Sequence, residues 1–215
     1  MRIDFVSDVA CPWCAVGLNS LERAIEKIGD DFPLELHFQP FELNPDMGFA
    51  GVDSSAYLQK KYGLSGEQLA VNRKNLHARG AAVGFEFGNV HRVWNTFHAH
   101  RLLYWAGQLA QPEAQRKLKH ALVHAYHNEG LNTADTEVLV ALAGKVGLNE
   151  VDAREVLDSG RFSDEVRAAE KRWQQAGINS VPAIIISEKH LISGGQPPEV
   201  FEQALRKIFA EEHPG

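Results

Sequence analysis

Cys11 and Cys14 are the only cysteines in this 215-residue chain, and they bracket Pro12 and Trp13 in the stretch FVSDVACPWCAV. On a helix this spacing sets the two sulfurs one turn apart. They can then close a disulfide within the motif, or one can resolve a mixed disulfide formed on the other. The nucleophile in such an exchange is the thiolate, and a helix N-terminus favours it through unpaired backbone N–H groups and the helix dipole. The arrangement predicts a redox pair in which Cys11 attacks and Cys14 resolves, while Pro12 and Trp13 set which N–H groups face the sulfur. Two other readings stand beside it. A zinc site takes about four ligands, so histidines would have to complete one here, and two buried thiols can also be inert small hydrophobes.

A thiol at a helix start needs a strand before it and a sheet beneath it. Residues 2–7 (RIDFVS) alternate as a half-buried strand, and a helix follows from Pro12 to about Gly29. Cys11 takes the N-cap position, Pro12 suits the first helical position, and Val16, Leu21, Ile25 and Ile28 recur at helical spacing. Residues 33–40 (PLELHFQP) alternate again, so the first forty residues read as one β-α-β unit. From Phe41 to about Gly177 the pattern is helical, with segments expected at 54–62, 66–80, 91–110, 113–128, 135–146, 150–158 and 161–176. Strand character returns at 183–187 and 190–193 as a hairpin, and a helix of 198–210 closes the chain.

The expected architecture is α/β: β-α-β, then β-β-α, with a large all-helical insertion between them. Residues 1–40 and 178–215 form one discontinuous domain and residues 41–177 the insertion, since both strand-bearing ends need partners and the middle offers none. A strand, Cys-x-x-Cys and helix inside a β-α-β unit is the signature of a thioredoxin-like redox motif. Pro182, in INSVPAIII, stands at the start of an apolar strand. Taken alone, such a proline reads as trans; a cis bond after Val181 would leave the Val181 backbone free to pair with an extended substrate.

Composition narrows the partners. A net charge of −6 argues against nucleic acid or an anionic membrane, both of which demand a basic surface. The first residues lack the charged start and apolar run of a secretory signal, and no stretch nears the ~18 apolar residues of a membrane span. The expectation is a soluble, cytoplasmic protein, in which a cysteine pair is catalytic or metal-binding more often than a structural staple.

CPWC after the first strand, VPAIII before a hairpin, the helical insertion and the ending ISGGQPPEVFEQAL together resemble the DsbA-like thioredoxin-fold oxidoreductases, and most closely their cytosolic FrnE-type branch. The resemblance implies dithiol–disulfide exchange with Cys11 as nucleophile and Cys14 as resolving thiol. It also implies a cis Val181–Pro182 bond beside them and a substrate groove bounded by the insertion. The candidate substrate-binding residues are Pro12, Trp13, Val181, Pro182, Asn95 and His98. No cofactor or metal is implied; glutathione is a candidate co-substrate, the partner is a thiol- or disulfide-containing protein or small-molecule substrate, and the protein itself is expected to be a monomer or weak dimer. The same superfamily holds 2-hydroxychromene-2-carboxylate isomerases and kappa-class glutathione transferases. These typically carry serine at the first position, whereas here both are cysteine. A glutathione-dependent transferase or isomerase is therefore the alternative reading.

Three further features carry both a chemical and a plain reading. The segment VHRVWNTFHAHRLLYWAGQLA is apolar nearly all round as a helix, with Val93, Trp94, Phe97, Tyr104 and Trp105 on one arc and Ala99, Leu103, Ala106 and Ala110 opposite. It predicts a buried helix whose Asn95, His98, His100 and Arg101 line the groove or satisfy buried bonds. His120, His124 and His127 share a helix face opposite Leu118, Leu122 and Ala125, and read as a solvated stripe rather than a metal site. Gly194–Gly195 either brings backbone to the redox centre or simply launches the last helix.

Overall fold

Ile3 and Phe5 on one side of RIDFVS, with Val6 on the other, make a strand that can be buried on both faces. In the computed structural model, which describes residues 1–214, this segment is β1 (Arg2–Ser7). After a four-residue loop, α1 (Pro12–Ile28) starts on an extended Cys11 N-cap and a Pro at its first position, and ends where Gly29 N–H donates to Ile25 O at 2.9 Å. It buries Leu18, Leu21, Ala24 and Ile28. β2 (Glu35–Pro40) returns parallel to β1, with Phe5 opposite Phe38.

The middle of the chain is helical except for one short strand pair. β3 (Val52–Asp53) leads into α2 (Ser54–Tyr62), whose first turn is capped by the Asp53 carboxylate accepting from Ala56 N–H. α3 (Gly66–Ala82) opens on a capping box between Ser65 and Gln68. β4 (Arg92–Val93) pairs antiparallel with β3. There follow α4 (Phe97–Gly107), α5 (Ala114–His124), one turn of π-helix (Ala125–Glu129), α6 (Thr136–Lys145), α7 (Glu150–Asp158) and α8 (Ser163–Gln175).

The long helix expected at 91–110 is thus shorter at both ends. Residues 91–96 have other partners: Val93 pairs with Val52, Trp94 N–H donates to the Tyr126 hydroxyl at 3.3 Å, and the Asn95 carbonyl accepts from Phe97 N–H at 2.8 Å. An asparagine side chain bound to backbone two residues on replaces the first helical turn, a competition that spacing of apolar residues does not reveal. The β3–β4 pair escaped the sequence reading because two-residue strands show no period. From Phe97 on, α4 is buried nearly all round, as its composition predicts.

β5 (Ala183–Ile186) and β6 (His190–Ser193) form the late hairpin, and α9 (Pro198–Glu212) closes the fold. The sheet order is β2-β1-β5-β6, with β5 antiparallel to both neighbours. One face carries Ile3, Phe5, Ile184 and Ile186 against Leu18 and Leu21 of α1 and Phe201 and Leu205 of α9. The other carries Val6, Ala183 and Ile185 against Phe41 and Trp173, so α8, from within the 41–177 stretch, covers the sheet directly. A separate core joins α4, α5, α6 and α7, and Val9, from the loop before Cys11, inserts into it. The β1–α1 loop that carries Cys11 is therefore pinned by both cores.

Arg101, which the sequence offered either as a groove residue or as one satisfying buried bonds, does the latter in that second core. Its guanidinium is buried and donates to the Val156 and Leu157 carbonyls at the end of α7 and to Arg161 O at 2.8 Å. A fixed fork of donors satisfies helix-end carbonyls that have no partner of their own. Arg101→Met should destabilise the protein by about 3 kcal/mol, since it strands several buried acceptors. Urea unfolding checks this; a loss under ~0.5 kcal/mol, the level of a surface substitution, would contradict it.

Candidate active site

The β1–α1 loop presents both sulfurs at the start of α1. Cys11 and Cys14 are free thiols, 4% and 1% exposed. Cys11 sits as the extended residue before the helix, and Cys14 N–H donates to Cys11 O at 3.0 Å, which closes the first turn and stacks the second sulfur behind the first. The Val181–Pro182 peptide is cis, and the Cys11 thiol donates to Val181 O at 3.5 Å. Chain segments 170 residues apart in sequence thus meet at one sulfur.

Glycines let these segments close up. A Cβ on Gly17 would stand 3.0 Å from Pro182 Cγ, and one on Gly195 would stand 3.0 Å from Trp13 O and 3.3 Å from Gly17 N. The Gly194–Gly195 loop therefore lies against the start of α1, with Gly194 N–H donating to Pro182 O at 2.8 Å. Of the two readings of this pair, the simple launch of a helix is the one that falls short, because only a residue without a side chain permits this approach.

Beneath the sulfurs lies a buried polar cluster. The Asp8 carboxylate accepts from Leu43 N–H (2.7 Å), Thr96 Oγ1 (2.8 Å) and Ala10 N–H (3.1 Å), with His100 Nε2 at 3.4 Å from it. Burial alone would raise the Asp8 carboxyl, but His100, Leu43 N–H and Thr96 together outweigh it and hold it below the usual range. Lys119, from α5, is 1% exposed. Burial lowers its ammonium, while attraction from Cys14, Asp8 and Cys11 pulls the other way. Cys14 is pushed well up by burial first and then by its hydrogen bond to Cys11 and that sulfur's charge, with Lys119 opposing.

His127 belongs to this layer too, which corrects the reading of a solvated stripe. The π-turn adds a residue to the helical repeat and swings His127 inward, where it is 5% exposed and its Nε2–H donates to Val9 O at 2.8 Å. His120 lies against Glu22 at 2.9 Å and His124 against Glu129 at 3.2 Å, so the three rings do not converge. Among the described residues no three His, Cys, Asp or Glu side chains gather as a metal site.

Burial pushes His127 down to about 4. Because its folded value lies below the ordinary ~6.5, the unfolded chain takes up a proton first, and the stability that His127 contributes falls as pH drops from about 6.5 towards 4, by about 3 kcal/mol in full. His127→Gln keeps the donor to Val9 O without the proton and should flatten that loss. Urea midpoints at pH values spanning this window decide it; equal acid sensitivity in both proteins would exclude His127 as the cause.

Of the residues singled out from sequence, Pro12 flanks a cavity beside Cys11, Trp13 is 41% exposed next to it, and Val181 and Pro182 stand at the sulfur. Asn95 and His98 do not line that cavity. The Asn95 amide is spent on Met47 O (2.9 Å) and Phe97 N–H, and His98 stacks on Phe49 at 4.7 Å with its Nδ1 3.1 Å from Arg101 Nη1. Burial, then Arg101, lowers the His98 ring. The residues that sequence reasoning missed are Asp8, Thr96 and Lys119. Lys119 left a trace: it shares the α5 face of Leu118, Leu122 and Val123, all of them buried, and a lysine on an apolar face needs an explanation.

Comparison with known proteins agrees with this geometry. The model of the DSBA-like thioredoxin domain family matches residues 2–206. The chain is 28% identical over 206 residues to YwbO of Bacillus subtilis (strain 168), an uncharacterized protein, covering 95% of this chain and 96% of that one. The crystal structure of a probable DsbA oxidoreductase, SCO1869 from Streptomyces coelicolor, superposes with a TM-score of 0.92 at 34% identity, covering 100% of this chain and 92% of its own. The cytosolic disulfide reductase DsbM from Pseudomonas aeruginosa, solved with GSH, shares the fold with a TM-score of 0.67 at 15% identity, covering 97% and 99%. No helix of the described chain is long and apolar enough to cross a membrane.

Proposed function

We propose, of a chain that belongs to the DSBA-like thioredoxin domain family, that Cys11 and Cys14 are the redox pair of a dithiol–disulfide oxidoreductase. The observation that carries this is the Cys11 sulfur at the start of α1, 3.5 Å from Val181 O, with Cys14 one turn behind it. In the reductive direction, the Cys11 thiolate attacks one sulfur of a substrate disulfide and expels the other as a thiolate. Cys14 then attacks Cys11 Sγ and expels the second substrate thiolate. Two electrons pass to the substrate, a disulfide forms between Cys11 and Cys14, and the two thiol protons end on the released thiols. Oxidation of a substrate dithiol is the same sequence reversed.

No cofactor takes part, because the electrons move only between sulfurs. Glutathione, the ligand of the Pseudomonas reductase structure, is the small thiol we assign as co-substrate, and the cytosol is the compartment in which a pool of it would set the direction. Pro12 and Trp13 border the approach to the sulfur and the Val181 backbone pairs with an extended substrate.

Equilibrating the protein with graded glutathione buffers tests the reading. The expected result is a single transition in which two thiols per chain disappear together and the intact mass falls by two hydrogens. Loss of one thiol alone, or a persistent glutathione adduct with no internal disulfide, would overturn it.

A further inference from the structure

Resting on the thiol–disulfide reading, the surroundings of the sulfur say which substrates it takes. A cavity of about 190 Å³ opens beside the redox pair, flanked by Ala10 and Pro12, the two chain neighbours of Cys11. Phe87 and Tyr126 give it an apolar side, and Arg73, His77, His91 and Arg92 stand exposed at its rim, with no Asp or Glu among the residues that line it.

Neither guanidinium meets a carboxylate among the described residues. Arg73 donates to the hydroxyls of Ser55 (3.0 Å) and Ser54 (3.5 Å), and Arg92 to the carbonyls of Ala50 (2.8 Å) and Gly51 (3.0 Å). Asp53 lies opposite Arg92 across the β3–β4 pair, but its carboxylate is engaged at the start of α2 by Ala56 N–H at 2.8 Å. Hydroxyls and carbonyls hold both cations in place without neutralising them. On a protein of net charge −6 this is a local positive rim on the cavity that flanks Cys11. One water needs only ~10–15 Å³ of such free space, so about 190 Å³ admits a short chain ending in an anion.

We infer that this cavity receives a carboxylate that the substrate carries a few bonds from its disulfide, so that Arg73 and Arg92 select anionic disulfides. The carboxylate takes no part in the exchange itself. Cys11 forms a bond to the sulfur bearing the held arm, the other arm leaves as a thiolate, and Cys14 then releases the held arm as the second thiolate.

Three short disulfides of similar length test this: dithiodipropionate (anionic), hydroxyethyl disulfide (neutral) and cystamine (cationic). Each is mixed with reduced protein in a single turnover, and the rate of loss of both protein thiols is followed. The neutral compound is the internal reference in every protein. The wild type should prefer the anion over the neutral disulfide by about fivefold for each guanidinium and disfavour the cation, the scale of an exposed ion pair. Salt at about 0.5 M should weaken the preference. The anionic-to-neutral ratio should fall in Arg73→Gln and in Arg92→Gln, approach one in the double variant, and be partly kept by Arg73→Lys. Equal rates for all three disulfides, a preference for cystamine, or a ratio unchanged in the double variant would overturn the inference.

If no disulfide oxidises the wild type, the dithiol reading fails instead, and titration with mercaptopropionate decides the cavity. Saturable NMR shifts that the double variant loses uphold it, and no binding overturns it.

Discussion

Cys14→Ala should accumulate a stable mixed disulfide on Cys11 when mixed with a substrate disulfide, and Cys11→Ala should lose exchange by about 10⁴-fold or more, as expected when a nucleophile is removed. The asymmetry follows from where the sulfurs sit. Cys14 is held protonated by burial and by the hydrogen bond and charge of Cys11, so it does not compete in the first attack. Once Cys11 is tied up in a mixed disulfide, its thiolate charge and its hydrogen bond to Cys14 are gone, while the pull of Lys119 remains. The Cys14 thiol then ionises more readily at the moment its thiolate is needed. Intact mass of the two variants after a brief reaction, with peptide mapping of the adduct, reads the outcome directly. An adduct on Cys14 in the Cys11→Ala protein at the wild-type rate would reverse the assignment.

Asp8→Ala should cost about 4 kcal/mol of stability, the scale on which a buried charge partner is lost. It removes an acceptor from Leu43 N–H, Ala10 N–H and Thr96 Oγ1, takes away the carboxylate 3.4 Å from His100 Nε2, and removes one of the charges that favour the Lys119 ammonium. Lys119→Met should behave in the opposite sense: the lysine is desolvated and its charge is met only at a distance, so an apolar side chain of similar length should be neutral or stabilising. Its cost falls on chemistry. Without that cation the Cys14 thiol loses an influence that lowers its pKa, so the pH at which the resolving step reaches half its maximal rate should move up. Urea unfolding measures the first effect, and the pH dependence of mixed-disulfide decay measures the second. A destabilised Lys119→Met protein with an unshifted pH profile would make Lys119 a structural residue only.

Asp8 and His127 share a sign in acid. The folded Asp8 carboxyl lies below its ordinary value, so the stability it supplies is present above the unfolded pKa and is lost as pH falls through the folded one. His127 loses stability over a higher range, between about 6.5 and 4. The His127 contribution is therefore lost at higher pH than the Asp8 contribution, while Glu42, raised to about 7 by burial, acts in the opposite sense over the His127 window.

The sequence by itself determined the strand, the helix and the cysteine spacing. RIDFVS, Cys11-Pro12 and the stripe from Val16 to Ile28 are local signals, since apolar period, cap and helix-compatible proline all act within a few residues. The same holds for the hairpin of β5 and β6 and for α9. The start of α4 was not legible, because Asn95 bonding to Phe97 N–H and Trp94 bonding to Tyr126 depend on side-chain direction rather than on periodicity. Nor was the turn of π-helix, which moved His127 from a surface stripe to the core by inserting one residue into the repeat.

What only the tertiary structure decided is the environment of the sulfurs. Asp8 follows β1, Thr96 precedes α4, Lys119 belongs to α5 and Val181 leads into β5, and nothing in their local sequence brings them together. Their shared site arises because Val9 is buried in the helical core while Phe5 and Cys11 are buried in the sheet core, which forces the β1–α1 loop through the seam between the two. The spacing of CPWC was readable from its residues and supports the proposed exchange, whereas the surroundings that would poise it are charges buried at that seam. A charge's effect on a thiol depends on distance and dielectric, and both are properties of the folded chain.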